Sequence, residues 1–250
     1  MVITMTTNIL SIDWDYFIDI SKNDKVLYFP DGGEYVSPLM NKIWVERYVL
    51  ENKDKMEKVY IEKDKVDILV NWLKKIESQL KNTELHIALG HQDIAGLVMN
   101  KVDLKDDLNI INIDDHHDNY GNKEVIDEKQ VNCGNWVNFL ENRGYNLKID
   151  WIPREDSDFD KEKLNKIITP TLEYEKFKDK IPDYIFLCKS PGYSPPHLDV
   201  EFINLLSKIF KYVKDSYMFT REVINDRYKK IKKMAKEREK ELEDLGLANI

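Results

Sequence analysis

Leu108-Asn109-Ile110-Ile111-Asn112-Ile113-Asp114-Asp115-His116-His117-Asp118 joins an apolar run to a dense group of charged donors. The run has the length and composition of a buried strand. The Asp-x-His-x-Asp string after it places oxygen and nitrogen donors on one side of an extended turn, a geometry suited to divalent metal ions. Two other apolar runs end in the same way. Asn8 to Ile12 leads into Ser11-Ile12-Asp13-Trp14-Asp15, and Leu85 to Leu89 leads into Gly90-His91-Gln92-Asp93. Three expected strands therefore deliver Asp or His at their carboxyl ends, where open α/β sheets place their chemistry. Further strand-like runs at 147–152 and 183–188 alternate with helical patterns. That alternation predicts an α/β protein with a mainly parallel sheet covered on both faces, a three-layer αβα architecture.

Helical spacing is clearest in Lys65 to Lys81, where Val66, Leu69, Leu73, Ile76 and Leu80 share one face. Ser37 to Glu51, with Pro38 suited to a first turn, and Asn135 to Asn142 and Asp199 to Val213 are further expected helices. Pro153 to Pro182 is polar and weakly periodic and is expected to be an insertion wrapping the rim of the site. Thr220 to Leu245 is expected to be one long helix, with Ile224, Tyr228, Ile231, Ala235, Leu242 and Leu245 at 4–3 spacing broken once by Arg238. Eight Lys or Arg residues lie between Arg227 and Lys240. The plainer reading is a solvated helix packed on the body by one stripe; the sharper one is a homo-oligomer seam or a basic surface for an acidic partner. Residues 1–218 are expected to form one domain and 219–250 a helical extension of it.

At 250 residues the chain can bury a proper core. No apolar stretch approaches the roughly 20 residues needed to span a bilayer, and Met1 to Thr7 lacks the basic and apolar regions of a signal peptide. The two cysteines, Cys133 and Cys188, have no CxxC spacing, which argues against a disulfide framework and a zinc-thiolate site. A cytoplasmic protein is the expectation, with no membrane partner. The net charge of -8 weighs against general nucleic-acid binding and suits a cationic substrate.

Six residues are candidate metal ligands: Asp13, Asp15, His91, Asp114, His116 and Asp118. Four carboxylates and two imidazoles make a hard, oxygen-rich set that suits Mn²⁺ best and structural zinc poorly. Two divalent ions would balance four carboxylates, whereas one would leave several crowded and uncompensated. Such a pair lowers the pKa of a shared water and stabilises charge developing in a tetrahedral intermediate, so hydrolysis is the expected reaction type. By contrast, His86 sits inside a strand and reads as a hydrogen-bonded core residue, and Asp156, Asp158 and Asp160 alternate in what looks like surface.

The two strings resemble the arginase and deacetylase superfamily, in which Asp-x-His-x-Asp and Ser-x-Asp-x-Asp hold a binuclear manganese centre. Cys133-Gly134-Asn135-Trp136 and Ser190-Pro191-Gly192-Tyr193-Ser194-Pro195-Pro196 are similar to a compact branch that includes the peptide arginases, which convert peptidyl arginine to ornithine. The resemblance runs from about Ile9 to Leu206. It implies an arginase-like fold and two Mn²⁺ ions bridged by Asp114 and Asp13. His91 and Asp118 would complete one ion's set, and His116 and Asp15 the other's. The implied substrate is an arginine-containing peptide or a small guanidino compound.

The chain also departs from the family. Ser-x-Asp-x-Asp precedes Asp-x-His-x-Asp here, the reverse of arginases, and Tyr16-Phe17 replaces the usual trailing Asp-Pro. Arginases carry Ser-Gly-Asn-x-His-Gly with a proton-shuttling His; Val137 stands at that position. His117, another histidine or water must then deliver the proton, with Asp114 and His117 as the candidate catalytic pair. Asp93 and Asn135 are the candidate substrate contacts, with Glu46 and Asp199 as weaker candidates for the acid that grips the guanidinium, although Asp93 is equally suited to capping a helix that begins near Ile94. Two alternatives stay open within the hydrolases. Asp115-His116-His117 matches the Asp-His-His phosphoesterases, but their His-x-Asp-x-Asp string is met only in part by His91-Gln92-Asp93. An amide hydrolase would normally use one zinc ion and fewer carboxylates. Val137 also motivates a binding module without turnover.

Overall fold

Short β-rich runs, apolar on both faces, assemble the sheet that organises this protein. The structure, a computed structural model, describes residues 5–21, 24, 38–50, 56–120, 131–157, 167–168 and 180–246. Its strands are β1 (Thr6–Asp13), β2 (Ile18–Asp19), β3 (Tyr60–Ile61), β4 (Glu84–Ala88), β5 (Asp107–Ile113), β6 (Asn146–Ile152), β7 (Ile167–Ile168), β8 (Tyr184–Cys188) and β9 (Asp215–Met218). Seven of them form one sheet in the order β7-β6-β5-β1-β8-β4-β9. Every pairing in it is parallel. β2 and β3 make a separate antiparallel pair.

The helices are α1 (Pro38–Leu50), α2 (Lys63–Lys75), α3 (Asp93–Lys101), α4 (Trp136–Asn142), α5 (Asp199–Ile209) and α6 (Arg227–Asp244). Trp44 of α1, Leu69 of α2, Phe202 of α5 and Ile231 of α6 share a cluster with Leu10, Ile12, Ile113 and Leu187. Ile94 and Val98 of α3 and Trp136 and Leu140 of α4 share the opposite cluster with Ile9, Ile110 and Phe186. Neighbouring residues of one strand thus feed opposite clusters, which is why the central strands are apolar throughout rather than alternating. The expected three-layer arrangement is present.

Connectivity decides where a crevice opens. After β1 the chain travels to β4 on the β8 side, whereas after β5 it travels to β6 on the other side. Adjacent strands β1 and β5 therefore send their connections apart, and ligands bind at the carboxyl ends of such a switch point. Register levels those ends. Ile12 lies beside Ile113 and Leu187, while Asp13 lies beside Cys188, itself beside Ala88.

Four elements differ from the sequence expectations. The C-terminal helix begins at Arg227, not Thr220, because the Asp226 carboxylate caps it by accepting from the Tyr228 N–H at 3.0 Å. Arg221–Ile224 is a separate 3-10 turn, and Ile224 and Leu245 are exposed, so Ile231 and Ala235 carry the buried stripe. The helix expected to reach Lys81 stops at Lys75, with Leu80–Asn82 in a 3-10 turn, and the one expected to reach Val213 stops at Ile209. β9 carries no burial alternation to reveal it, since all four of its residues are exposed. The expected rim insertion lies largely outside the described residues, apart from Ile167–Ile168, which pair with β6. Among the described residues no helix is long and apolar enough to cross a membrane.

His197 fastens α1 to the segment before β3. Its Nε2 lies 2.8 Å from the Val59 carbonyl, which can only accept, so Nε2 carries the proton. Nδ1 then accepts from the Tyr48 hydroxyl at 2.6 Å, an arrangement that a neutral ring completes. Burial depresses the ring's pKa below 6.5, outweighing the Val59 carbonyl, which favours charge. Between that depressed value and 6.5 the unfolded chain binds a proton that the folded chain does not, so this contribution to stability falls as pH drops below 6.5. His197→Gln is expected to cost about 1–2 kcal/mol above that pH, with the cost shrinking below it. Urea midpoints across the range check this; a cost that does not change with pH would contradict a neutral ring.

Candidate metal centre

Each chain segment leaving the switch point turns sharply and presents an acid. At the end of β1 the Asp13 carboxylate accepts from the Asp15 N–H at 3.3 Å, starting the 3-10 turn Trp14–Phe17 that buries Asp15. Beyond β5 the Asp114 carboxylate accepts from the His116 N–H at 2.8 Å, folding the string back on itself. Asp118 follows with φ of 52°, and Ser190 after β8 has φ of 46°. These are the non-glycine residues of positive φ among the described residues, and both belong to this centre. Left-handed backbone costs such residues roughly 1–2 kcal/mol, strain that persists where surrounding contacts fix it.

All six candidate ligands converge. The His91 Nδ1 lies 2.9 Å from Asp114 Oδ2, 2.9 Å from Asp118 Oδ2 and 3.3 Å from Asp13 Oδ2. The His116 Nδ1 lies 3.6 Å from both Asp15 Oδ2 and Asp114 Oδ1. Two donor sets capable of holding a metal ion result, Asp13/His91/Asp114 and Asp15/Asp114/His116, with the donor atoms of each within 4.8 Å of one another. Asp114 belongs to both, one oxygen facing each imidazole. The carboxylates and His91 are buried, whereas His116 is 34% exposed and faces outward.

A surrounding shell orients the donors. Ser11 Oγ lies 2.7 Å from His91 Nε2, which occupies that nitrogen and leaves Nδ1 toward the acids. The Trp136 indole donates to Asp118 Oδ2 at 2.5 Å, and the Ser190 hydroxyl donates to Asp13 Oδ2 at 2.7 Å. The Trp151 indole donates to the Asp114 carbonyl at 2.9 Å. Metal-ligating imidazoles and carboxylates are held in this manner by a second layer of hydrogen bonds. Ser11 and Trp136 lie inside strings visible in the sequence, but their roles depend on contacts between segments. Ser190 follows an apolar strand, so the strand-end rule that finds Asp13 would also have found it.

Electrostatics reinforce the fit. Burial opposes charge on His91, but Asp118, Asp114 and Asp13 outweigh it and raise its pKa well above the ordinary value. Burial likewise opposes charge on His116, and Asp114 and Asp15 lift it to about 10. Burial together with the neighbouring Asp114 pushes Asp118 up to about 7. Asp114 shifts down despite its burial, because His116 and His91 favour its ionised form. Four carboxylates packed this closely can be ionised together only with positive charge among them. Protonated imidazoles are one source; divalent cations match the donor types and leave the imidazoles neutral and ligating.

No protein-family model, curated protein or solved structure matches this chain. The centre's own geometry is therefore what bears on its chemistry.

Other candidates lie around the six. His117 accepts the Asn119 N–H on Nδ1 at 3.0 Å, and its ring packs 4.0 Å from that of Tyr120, centroid to centroid. Asp93 is the first residue of α3 rather than its cap; Gln92 holds the cap position. Burial raises the Asp93 carboxyl, and it belongs to neither donor set. Asn135 closes a turn, its Oδ1 accepting the Asn132 N–H at 2.8 Å, and it too stands outside both sets. His86 stacks on Tyr217 at 5.0 Å and pairs with Glu84, away from the ligands, as its place within a strand suggests.

Removing the shared carboxylate tests the centre directly. Wild-type protein is expected to gain about 2.7 kcal/mol of stability at Mn²⁺ concentrations of roughly 100 Kd, and Asp114→Asn to lose that gain. Thermal melts with and without Mn²⁺ read both; an equal gain in the variant would place the ion elsewhere.

Proposed function

We propose that this protein is a binuclear manganese hydrolase of a guanidinium group, converting peptidyl arginine to ornithine with release of urea. The observation that carries the reading is Asp114, a buried carboxylate common to two donor sets. Hard oxygen donors with one imidazole in each set favour Mn²⁺. Two such ions supply a water activated at neutral pH and positive charge opposite the transition state.

The chain's own residues do the rest. Asp114 holds the two sets at a fixed separation, while Ser190 and Trp136 fix the outer carboxylates Asp13 and Asp118. The chain's net charge of -8, rather than the charge-balanced centre, suits a cationic guanidinium. Water adds its oxygen to the guanidinium carbon, the bond from that carbon to the side-chain nitrogen breaks, and the amine leaves with a proton. Val137 cannot supply that proton and is buried in the cluster under α3 and α4. His117 is assigned the role as an imidazolium: it takes up the proton that the added water loses and gives one to the departing amine, its Nδ1 contact with the Asn119 N–H being given up while the ring is charged. Asp93 and Asn135 remain candidates for contact with the substrate outside the ligand shell.

One contact weighs against an Asp-His-His phosphoesterase. Asp115 accepts from the Ser157 hydroxyl at 2.7 Å and lies 3.9 Å from the Arg154 Nε, so the first acid of that string is engaged outside the donor sets.

Mn²⁺-loaded protein should be incubated with arginine, agmatine and an arginine-containing peptide, with urea and peptide mass as readouts. Urea from the peptide, with a mass loss equal to one cyanamide unit per modified residue, is the expected outcome. Urea from the small compounds alone would keep the chemistry and change the substrate. No urea from any of them, with two metals bound, would overturn guanidinium hydrolysis.

A further inference from the structure

The loop after β8 reaches the metal centre twice. Ser190 donates to Asp13, and the Tyr193 ring lies 5.3 Å from that of His116. The loop is partly self-braced, since the Ser194 hydroxyl donates to the Lys189 and Ser190 carbonyls at 2.9 and 2.8 Å. Two further carbonyls, those of Pro191 and Ser194, accept from a side chain far along the chain, and that of Pro191 also accepts from the Trp44 indole at 2.9 Å. Arg227, the first residue of α6, donates from one terminal nitrogen to the Pro191 carbonyl at 2.8 Å and from the other to the Ser194 carbonyl at 2.9 Å. The same guanidinium grips both oxygens of Asp199, at 2.7 Å from its second terminal nitrogen and 2.9 Å from Nε. Asp199 is buried and also lies 3.2 Å from Lys189 Nζ, whose ammonium donates to the Asn225 carbonyl at 2.9 Å.

We propose that Arg227 is a positioning residue for the metal centre, a latch by which the C-terminal helix fixes the loop that orients Asp13 and flanks His116. The proposal rests on the reading of Asp13 and His116 as metal ligands. Its logic is geometric. Ser190 holds positive-φ backbone, which needs outside contacts to persist. Arg227 bonds the carbonyls at both ends of the stretch that follows, 191 and 194. A guanidinium can span two carbonyls and a carboxylate at once because its donors form a rigid planar fork; an ammonium cannot. Asp199 sets the direction of that fork, so the acid acts through the arginine and the arginine through the loop.

The test measures Mn²⁺ affinity by calorimetry in wild type and in Arg227→Lys, Ser190→Ala and the double variant, with melts in chelator to confirm folding. Arg227→Lys keeps a cation beside Asp199 and so preserves the buried charge balance. The expected result is a 10- to 100-fold loss of affinity in each single variant, the scale of lost outer-layer contacts at metal sites, with little further loss in the double variant. Arg238→Met is the control. Arg238 fastens α6 to Glu46 at 3.3 Å without touching the loop, so its loss should lower stability and leave affinity unchanged. Unchanged affinity in Arg227→Lys, additive losses in the double variant, or an equal loss in Arg238→Met would each overturn the latch. Failure of wild-type protein to bind Mn²⁺ would instead overturn the metal centre itself.

Discussion

Mutual repulsion among buried carboxylates is the constraint around which this structure is arranged. Asp13, Asp15, Asp114 and Asp118 are all nearly inaccessible and face the same two imidazoles. Two like charges about 4 Å apart repel by roughly 4 kcal/mol at the effective dielectric of protein pairs, so several such pairs would consume much of a domain's net stability. What offsets that repulsion is positive charge among the acids. Under the proposed reading that is a pair of divalent ions, and Asp114 is the group that makes the two positions one centre.

The sheet makes the convergence possible. Parallel strands bring their carboxyl ends to one edge, and the level register of β1, β5, β8 and β4 means that residues just past those ends meet. The departure of β1 and β5 connections in opposite directions leaves that edge open. Four strands thereby contribute one part each: Asp13 and Asp15 from β1, the Asp114 string from β5, His91 from β4 and Ser190 from β8. The indole donors come from α4, on one face of the sheet, and from β6, beyond β5.

Strand ends were the legible part of this sequence. Buried parallel strands are apolar without interruption, so the change to Asp or His at residues 13, 91 and 114 marks both the end of the strand and the start of the site. The same logic is silent where burial is partial. β9 is an exposed edge strand whose composition carries no period, and Ile224 and Leu245 fit a helical stripe on paper while lying outside any buried face. The pairings within the second layer were hidden for another reason. That Trp136 serves Asp118 and Ser190 serves Asp13 follows from contacts across 18 and 177 residues, which no local pattern encodes.

α6 shows how far local preference yields to such contacts. It has no acid in its first turn and no base in its last. Lys229, Lys230, Lys232 and Lys233 crowd its first half, while Glu239, Glu241, Glu243 and Asp244 crowd its second. This ordering opposes the helix dipole, which favours the reverse by about 0.3–1 kcal/mol for each well-placed terminal charge. The helix consequently depends on its cap at Asp226, on Ile231 and Ala235 in the core, and on the Arg227–Asp199 pair. If the proposed latch holds, coupling between the helix and the loop after β8 runs both ways, since linkage between two sites is reciprocal. An ion that tightens Asp13 and Ser190 would hold the carbonyls of Pro191 and Ser194 in place for Arg227, and would thereby favour the docked helix. Under the proposed latch, the unfavourable charge order would make the docked state of the helix sensitive to whatever occupies the centre.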